Sequence, residues 1–397
     1  MVAVDVRFHE KQVKKALRRE NFSGTFVTAK YRFSPYSACE HGCFYCDGRA
    51  EKYYVEGEFD RDIIVRPNLP ECLEQELPKL REKGIISIGS GVSDAYQPVE
   101  QERGLMRRCA EVLARYPFPV TVLTKSSLIM RDLDVWKKVN EKAGFMLAVS
   151  LTFVDDTLRK IFEPRASPAV ERWEMLRVFK ETGCSIAVLA MPFLPFISDS
   201  TDYLTAFYES AAELEPLFIM PGGLTLRPGR QKDTYLEVLR SRFSHLVGPT
   251  EDIYREDRPS GAAAYEYQKE LFSRVSTINR TYKLPYLVPH RYYRDKVHLY
   301  DEINILLNHM AELYREQGAD VLPLKKATKT YTAWITEQKA VYNRHRSWDY
   351  ADLEDEVREA FRSGKMAGLL RNDKLTGFLK SVALERKVFD YIELTLE

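Results

Sequence analysis

The sequence predicts an α/β fold, a partial (βα)6 TIM-like barrel with a C-terminal helical extension. Three observations carry that expectation. Apolar runs that read as strands alternate with amphipathic stretches that read as helices. Unusual polar residues recur just after the strands, and the alternation stops near residue 250.

Residues 1–24 are charged and read as a peripheral segment. Over 25–250 the candidate strands are GTFVTAKYRF, GIISIGS, PVTVLTKS, GFMLAVSLT, CSIAVLAMPF and LFIMPGGLTLRP. Between them lie amphipathic stretches such as PVEQERGLMRRCAEVLARYP and SPAVERWEMLRVFKETG. In LEQELPKL, Pro78 should kink or break the helix. Gly84, Gly144 and Gly183 each stand between a charged helical stretch and a strand, where a left-handed glycine closes a helix. Repeated units of this kind imply a mainly parallel sheet covered by helices. A flat doubly wound sheet is the competing architecture. The polar residues favour the barrel. Cys39–Cys46, Gly89-Ser90-Gly91 with Asp94, Lys125-Ser126, Ser150 with Thr152, Pro192 and Arg227 each follow a strand. A barrel gathers all those loops on one rim, whereas an open sheet gathers only those at its switch point. Residues 251–397 read as a helical extension without a Gly/Ser linker before it.

At 397 residues the chain can bury a sizeable core, and 45% of it is hydrophobic. A formal net charge of +1 gives no argument for nucleic acid over the whole surface. From Arg280 to Arg346 there are 12 Lys/Arg against 7 Asp/Glu, so a local basic patch leaves nucleic acid open as a partner. The start lacks a secretory pattern, and no apolar run is long enough to span a membrane. Of six cysteines, three crowd into eight positions. That is a poor disulfide framework and a good cofactor signature for a reducing cytoplasm. Cys72, Cys109 and Cys184 read as small buried apolar side chains.

The crowded trio is Cys39-Glu-His-Gly-Cys43-Phe-Tyr-Cys46. A cubane iron–sulfur cluster normally takes four thiolates. No fourth cysteine is spaced to join these, so a [4Fe–4S] cluster here would keep one iron open to a ligand. The rival is zinc, with His41 completing a Cys₃His set. Structural zinc sites usually pair two short knuckles, and no second knuckle is present.

With Tyr45 directly before the last cysteine, the motif resembles that of the radical S-adenosylmethionine (SAM) enzymes. SPYSACEHGCFYC, GSGVSDAYQPVE, VTVLTKS, VSLT and FEPRASP, in that order, resemble the spore photoproduct lyase-like branch, also labelled DNA repair photolyase-like. The resemblance implies a partial βα barrel, a [4Fe–4S] cluster and S-adenosyl-L-methionine as cofactors. It implies reductive cleavage to a 5′-deoxyadenosyl radical, hydrogen abstraction from a substrate it does not identify, and a flavodoxin- or ferredoxin-like electron donor. Cys39, Cys43 and Cys46 match the cluster ligands. Lys125 matches a lysine that pairs with the cofactor carboxylate; Ser150 and Ser93 match cofactor-contacting serines, and Tyr45 would pack on the adenine or the cluster edge.

Other residues keep two readings. Asp94 in SDAYQPVE could cap a helix or touch a ligand, and Glu163-Pro164-Arg165 could be a rim contact or a structural turn. His290 and Arg291 read as a solvated face. One departure limits the resemblance. Spore photoproduct lyase returns hydrogen from a cysteine, and Gly91 stands at that position; Asp47 replaces the aromatic residue after the last cluster cysteine. Three readings remain: a radical SAM enzyme of unidentified substrate, a DNA photoproduct lyase-type repair enzyme, and a zinc-stabilised nucleic-acid-binding module without catalysis.

Overall fold

Strands of the βα repeat that are buried on both faces need apolar residues at successive positions, and the chain supplies them. The computed structural model describes residues 5–20, 22, 28–53, 57–89, 91–344 and 349–397. Residues 24–27 of the first candidate strand and Ser90 lie outside these. The strands are β1 (Arg7–Glu10), β2 (Arg18–Arg19), β3 (Ala29–Phe33), β4 (Tyr36–Ser37), β5 (Asp62–Val65), β6 (Ile85–Ile88), β7 (Val120–Thr124), β8 (Phe145–Leu151), β9 (Ser185–Phe193) and β10 (Ile219–Gly223). All six candidate strands are present, as β3 and β6 to β10. The fold is mixed α/β with a parallel-strand sheet, of the partial TIM-barrel kind, with a helical C-terminal region.

The chain folds as two compact units. The first comprises residues 1–17, 33–77 and 88–286. In it β10, β9, β8 and β7 are parallel neighbours in that order, with Val120–Thr124 of β7 in register with Phe145–Val149 of β8. All seven residues of β8 are buried, as expected of an interior parallel strand. A small second sheet runs β1-β5-β4, so the N-terminal segment carries a strand paired with β5. The helices are α1 (Leu69–Glu76), α2 (Glu100–Arg103), α3 (Leu105–Leu113), α4 (Leu133–Ala143), α5 (Asp156–Phe162), α6 (Ala169–Glu181), α7 (Thr201–Ala212), α8 (Arg230–Arg242), α9 (Val247–Ile253) and α10 (Tyr265–Tyr282). The α1 helix stops before Pro78, as the sequence requires. Trp136 of α4, Phe145 of β8 and Phe179 of α6 stack at centroid distances of 4.8 and 5.6 Å, pinning both helices to the strand. This unit runs on to Tyr286, past the boundary drawn at 250, because α10 lies against α7 and β10.

The second unit comprises residues 18–32, 78–87 and 287–397. It holds β2 antiparallel to β3, β6 beside β3, and the helices α11 (His290–Tyr293), α12 (Leu299–Glu316), α13 (Leu322–Arg344), α14 (Tyr350–Arg362), α15 (Lys365–Leu370) and α16 (Asp373–Leu384). Its interior is polar in places. Lys30 lies 2.7 Å from Asp301 and 3.0 Å from Glu82, and Lys339 lies 2.9 Å from Asp301. His290, read as solvated, is instead fully buried: Nε2 meets Glu302 at 2.8 Å and Nδ1 accepts from the Phe389 N–H at 2.9 Å. Arg291 is exposed. Gly144 and Gly183 do take positive φ, but Gly84 does not; a Cβ there would fall 2.3 Å from Lys30 Cβ, so close approach selects that glycine. Among the described residues no helix is long and apolar enough to cross a membrane.

Candidate active site

The loop after β4 carries Cys39, Cys43 and Cys46, and its backbone is held from several sides. The N–H of Cys39 donates to the Phe59 carbonyl at 3.1 Å, and that of Phe44 to the Phe162 carbonyl at 3.0 Å. Arg49 donates to the carbonyls of Cys43 and Gly42, both at 2.9 Å. Arg165 donates to the Glu40 carbonyl and, at 3.0 Å, to that of Asp60. Two arginines thus fix the loop's carbonyls, while the Cys46 sulfur accepts from the Gly48 N–H at 3.4 Å. Cys39 and Cys43 are buried and Cys46 is half-buried. Burial, reinforced at Cys39 by Asp94 and at Cys43 by Glu163, pushes the thiols up, Cys43 to about 12. Thiols this reluctant to ionise become ligands when metal charge displaces their protons. Among the described residues no three His, Cys, Asp or Glu side chains converge on one point as a single ion requires. Three thiolates with no fourth cysteine spaced to join them suit a polynuclear cluster, where each thiolate binds its own iron.

Facing this loop are the carboxyl ends of β7 and β8. Lys125 Nζ donates to Ser150 Oγ at 2.5 Å and stands 5.8 Å from the centre of the Tyr45 ring. The Tyr45 hydroxyl meets Thr152 Oγ1 at 3.1 Å and donates to Glu163. Glu163 is paired with Arg172 of α6, which also donates to the Ser150 carbonyl at 3.0 Å and the Ser167 carbonyl at 2.8 Å. Burial alone would raise the Glu163 carboxyl, but Arg172 and then Lys125 hold it below its ordinary value. A fully buried carboxylate–guanidinium pair therefore ties the cysteine loop to the end of β8.

Asp94 links the β6 and β7 loops. It accepts from the Tyr96 N–H at 2.8 Å, from Thr124 Oγ1 at 2.7 Å and from the Lys125 N–H at 2.8 Å. His41 Nδ1 is 3.5 Å away, and burial lowers the His41 pKa against the pull of Asp94. Asp94 thus positions Lys125 and caps no helix.

Residues 33–205 match the Radical SAM superfamily. The chain carries a radical SAM domain. An uncharacterised protein of Mycobacterium tuberculosis strain H37Rv is 26% identical over 288 residues, which cover 70% of this chain and 82% of that protein. One of Methanocaldococcus jannaschii is 29% identical over 187 residues, covering 45% and 69%. A tyrosine-to-phenylalanine mutant of spore photoproduct lyase shares the fold, with a TM-score of 0.51 at 13% identity over 69% of this chain and 79% of that one. The superfamily implies S-adenosylmethionine and a [4Fe–4S] cluster, and the donor set described above fits such a cluster.

In this radical SAM domain the expected residues separate into two groups. Lys125, Ser150 and Tyr45 come together. Ser93 does not join them: its Oγ donates to the backbone carbonyls of Tyr36 and Ala38, at 3.2 and 3.1 Å. The Glu40 N–H donates to Gln97 Oε1 at 2.7 Å, joining the cysteine loop to the loop after β6. Asp47 accepts from Thr225 at 2.6 Å and pairs with Arg227 at 2.8 Å, joining the cysteine loop to the β10 loop. Glu163 and Arg165 are both structural braces. Arg172 was missed, although it shares one helical stripe with Ala169, Leu176 and Phe179.

Proposed function

We propose that the chain binds a [4Fe–4S] cluster on Cys39, Cys43 and Cys46, and S-adenosylmethionine on Lys125, Ser150 and Tyr45, to start a radical reaction on a substrate outside those cofactors. The observation that carries this reading is the convergence of Lys125, Ser150 and Tyr45 beside the three-cysteine loop. When bound, the cofactors supply reductive cleavage of the sulfonium to a 5′-deoxyadenosyl radical. The chain's own work is positional. Lys125 offers a cation to a carboxylate, Ser150 a hydroxyl, and Tyr45 an apolar ring whose orientation Glu163 and Thr152 set. Ser93 would serve by shaping the loop that carries the cysteines. A flavodoxin- or ferredoxin-like protein would supply the electron, and the reducing chemistry fits a cytoplasmic setting.

The spore photoproduct lyase fold supports a second reading, a DNA photoproduct lyase-type repair enzyme. Gly91 weighs against that exact reaction. A Cβ there would meet nothing within 4 Å, so space for a hydrogen-returning cysteine exists and is unused. A zinc-stabilised nucleic-acid binder is disfavoured because the sequence offers no second cysteine knuckle.

The test is anaerobic reconstitution with iron and sulfide. The protein should gain a visible-absorbing cluster and make 5′-deoxyadenosine when reduced with S-adenosylmethionine, and Cys43→Ala should lose both. A bound zinc ion with no cleavage would overturn the proposal.

A further inference from the structure

The loop after β9 presents an aromatic ring outward. Phe196 is 50% exposed although it is a large apolar residue, and its backbone is left-handed at φ 63°. An L residue holds that conformation when its surroundings fix it. Here they do: the Phe196 N–H donates to Asp199 Oδ1 at 2.9 Å and the Leu194 N–H to Ser198 Oγ at 2.8 Å. Asp199, 4% exposed, also accepts from the Tyr267 hydroxyl at 2.8 Å, and its carbonyl accepts from Arg274 at 2.7 Å. The ring is thus rigidly displayed over a groove of about 520 Å³ against α10, lined by Phe196, Asp199, Tyr267, Glu270, Ser273 and Arg274. That volume suits a small-molecule group. Leu194, Ile197 and Tyr267 belong to the same apolar cluster as Cys43, Tyr45 and Cys46.

The lining groups define the occupant. Tyr267 donates to the Asp199 carboxylate, and Arg274 donates to the Asp199 carbonyl while its buried Nε has no hydrogen-bond partner among the described residues. What remains is the Phe196 face, the Ser273 hydroxyl and the Glu270 carboxylate, which is exposed and forms no ion pair among the described residues. Two carboxylates against one guanidinium leave the lining one negative charge in excess. That favours a planar cation over a phosphate. A guanidinium can stack on an aromatic face and fork onto a carboxylate at once. From this we infer that the groove is a substrate subsite for a guanidinium group, stacked on Phe196 and paired with Glu270. The inference names a substrate class for the proposed function and rests on that reading of the site.

The test is calorimetric titration of the reconstituted full chain, without reductant, so that binding is read whether or not S-adenosylmethionine is cleaved. The probes are free L-arginine, N-acetyl-arginine-N′-methylamide, the matching lysine compound and cytidine. An arginine probe should bind more tightly than lysine or cytidine. Preference for the free amino acid marks a metabolite source, and preference for the capped form marks a peptide. Phe196→Ala and Glu270→Gln should each weaken binding at least about fivefold, while Phe196→Tyr retains it. Glu270 is exposed on a helix, so its variant keeps the test valid if Phe196→Ala misfolds. No arginine binding, or binding untouched by Glu270→Gln, or cytidine bound in its place, overturns the subsite. Arginine binding in a protein that makes no 5′-deoxyadenosine would uphold the subsite and refute the proposed function.

Discussion

Arg172 donates to a carboxylate and two carbonyls from a side chain that is 1% exposed. Removing one partner of a buried pair leaves the other charge uncompensated, which costs about 3–5 kcal/mol. Arg172→Met should therefore lose that much stability in urea unfolding, and Arg172→Lys should fall between it and the parent. An unchanged midpoint for the methionine variant would show that Glu163 finds its support elsewhere. Lys125 has a different role. It is half-buried and its ammonium has one hydroxyl partner, Ser150. Lys125→Met should fold as the parent does and bind S-adenosylmethionine about tenfold more weakly by equilibrium dialysis. Equal affinity would remove Lys125 from the cofactor site. Ser93→Ala, by contrast, should act through cluster retention more than through cofactor affinity, since Ser93 bonds to the backbone of the segment that leads into the cysteine loop.

Among the elements, the strands of the βα repeat were the most legible, because a strand buried on both faces must be an unbroken apolar run. Strand ends were legible as polar residues after those runs, and Cys109 and Cys184 are buried as expected, with Cys72 half-buried. Helices carried less. The α6 stripe includes an arginine, and an arginine among charged neighbours reads as solvated until the Glu163 loop is seen folded over it. The turn after β6 shows how tightly the strand ends are packed. Gly89 has φ +89°, and a Cβ there would fall 2.5 Å from the Leu123 carbonyl oxygen of β7. The clash is with backbone, so no side chain can yield. Gly89→Ala should displace the β6 loop that carries Asp94. The expected result is a cluster lost to a chelator several times faster than in the parent; equal rates would mean that the turn relaxes without moving Asp94.

At the scale of the whole molecule, the second unit buries an ionic network where an apolar core would be simpler. Burial raises the Glu82 carboxyl, but Lys30 and then Lys339 pull it down to about 2. Burial likewise raises Glu354, and the His298 hydrogen bond and Lys83 bring it to about 2. Both folded values lie below the ordinary 4.5. The stability they confer is present in full above that value and drains away as pH falls toward 2, on the order of 3 kcal/mol per group. Acid should therefore unfold this unit between about pH 4.5 and 2. Glu82→Gln should flatten the dependence of its urea midpoint on pH across that window, and an unchanged slope would exclude Glu82 as a source.

The sequence by itself determined the repeat of strands and helices, the three-cysteine motif and the strand ends where chemistry collects. These are local properties, written in periodicity and spacing. Tertiary structure decided what each polar residue does there. It brought Lys125, Ser150 and Tyr45 together and turned Ser93 to the backbone. It made Asp94 a link between loops, assigned Glu163 and Arg172 to each other, and buried His290. Those outcomes depend on which loops meet, and that is set by strand order and side-chain packing among residues far apart in the chain.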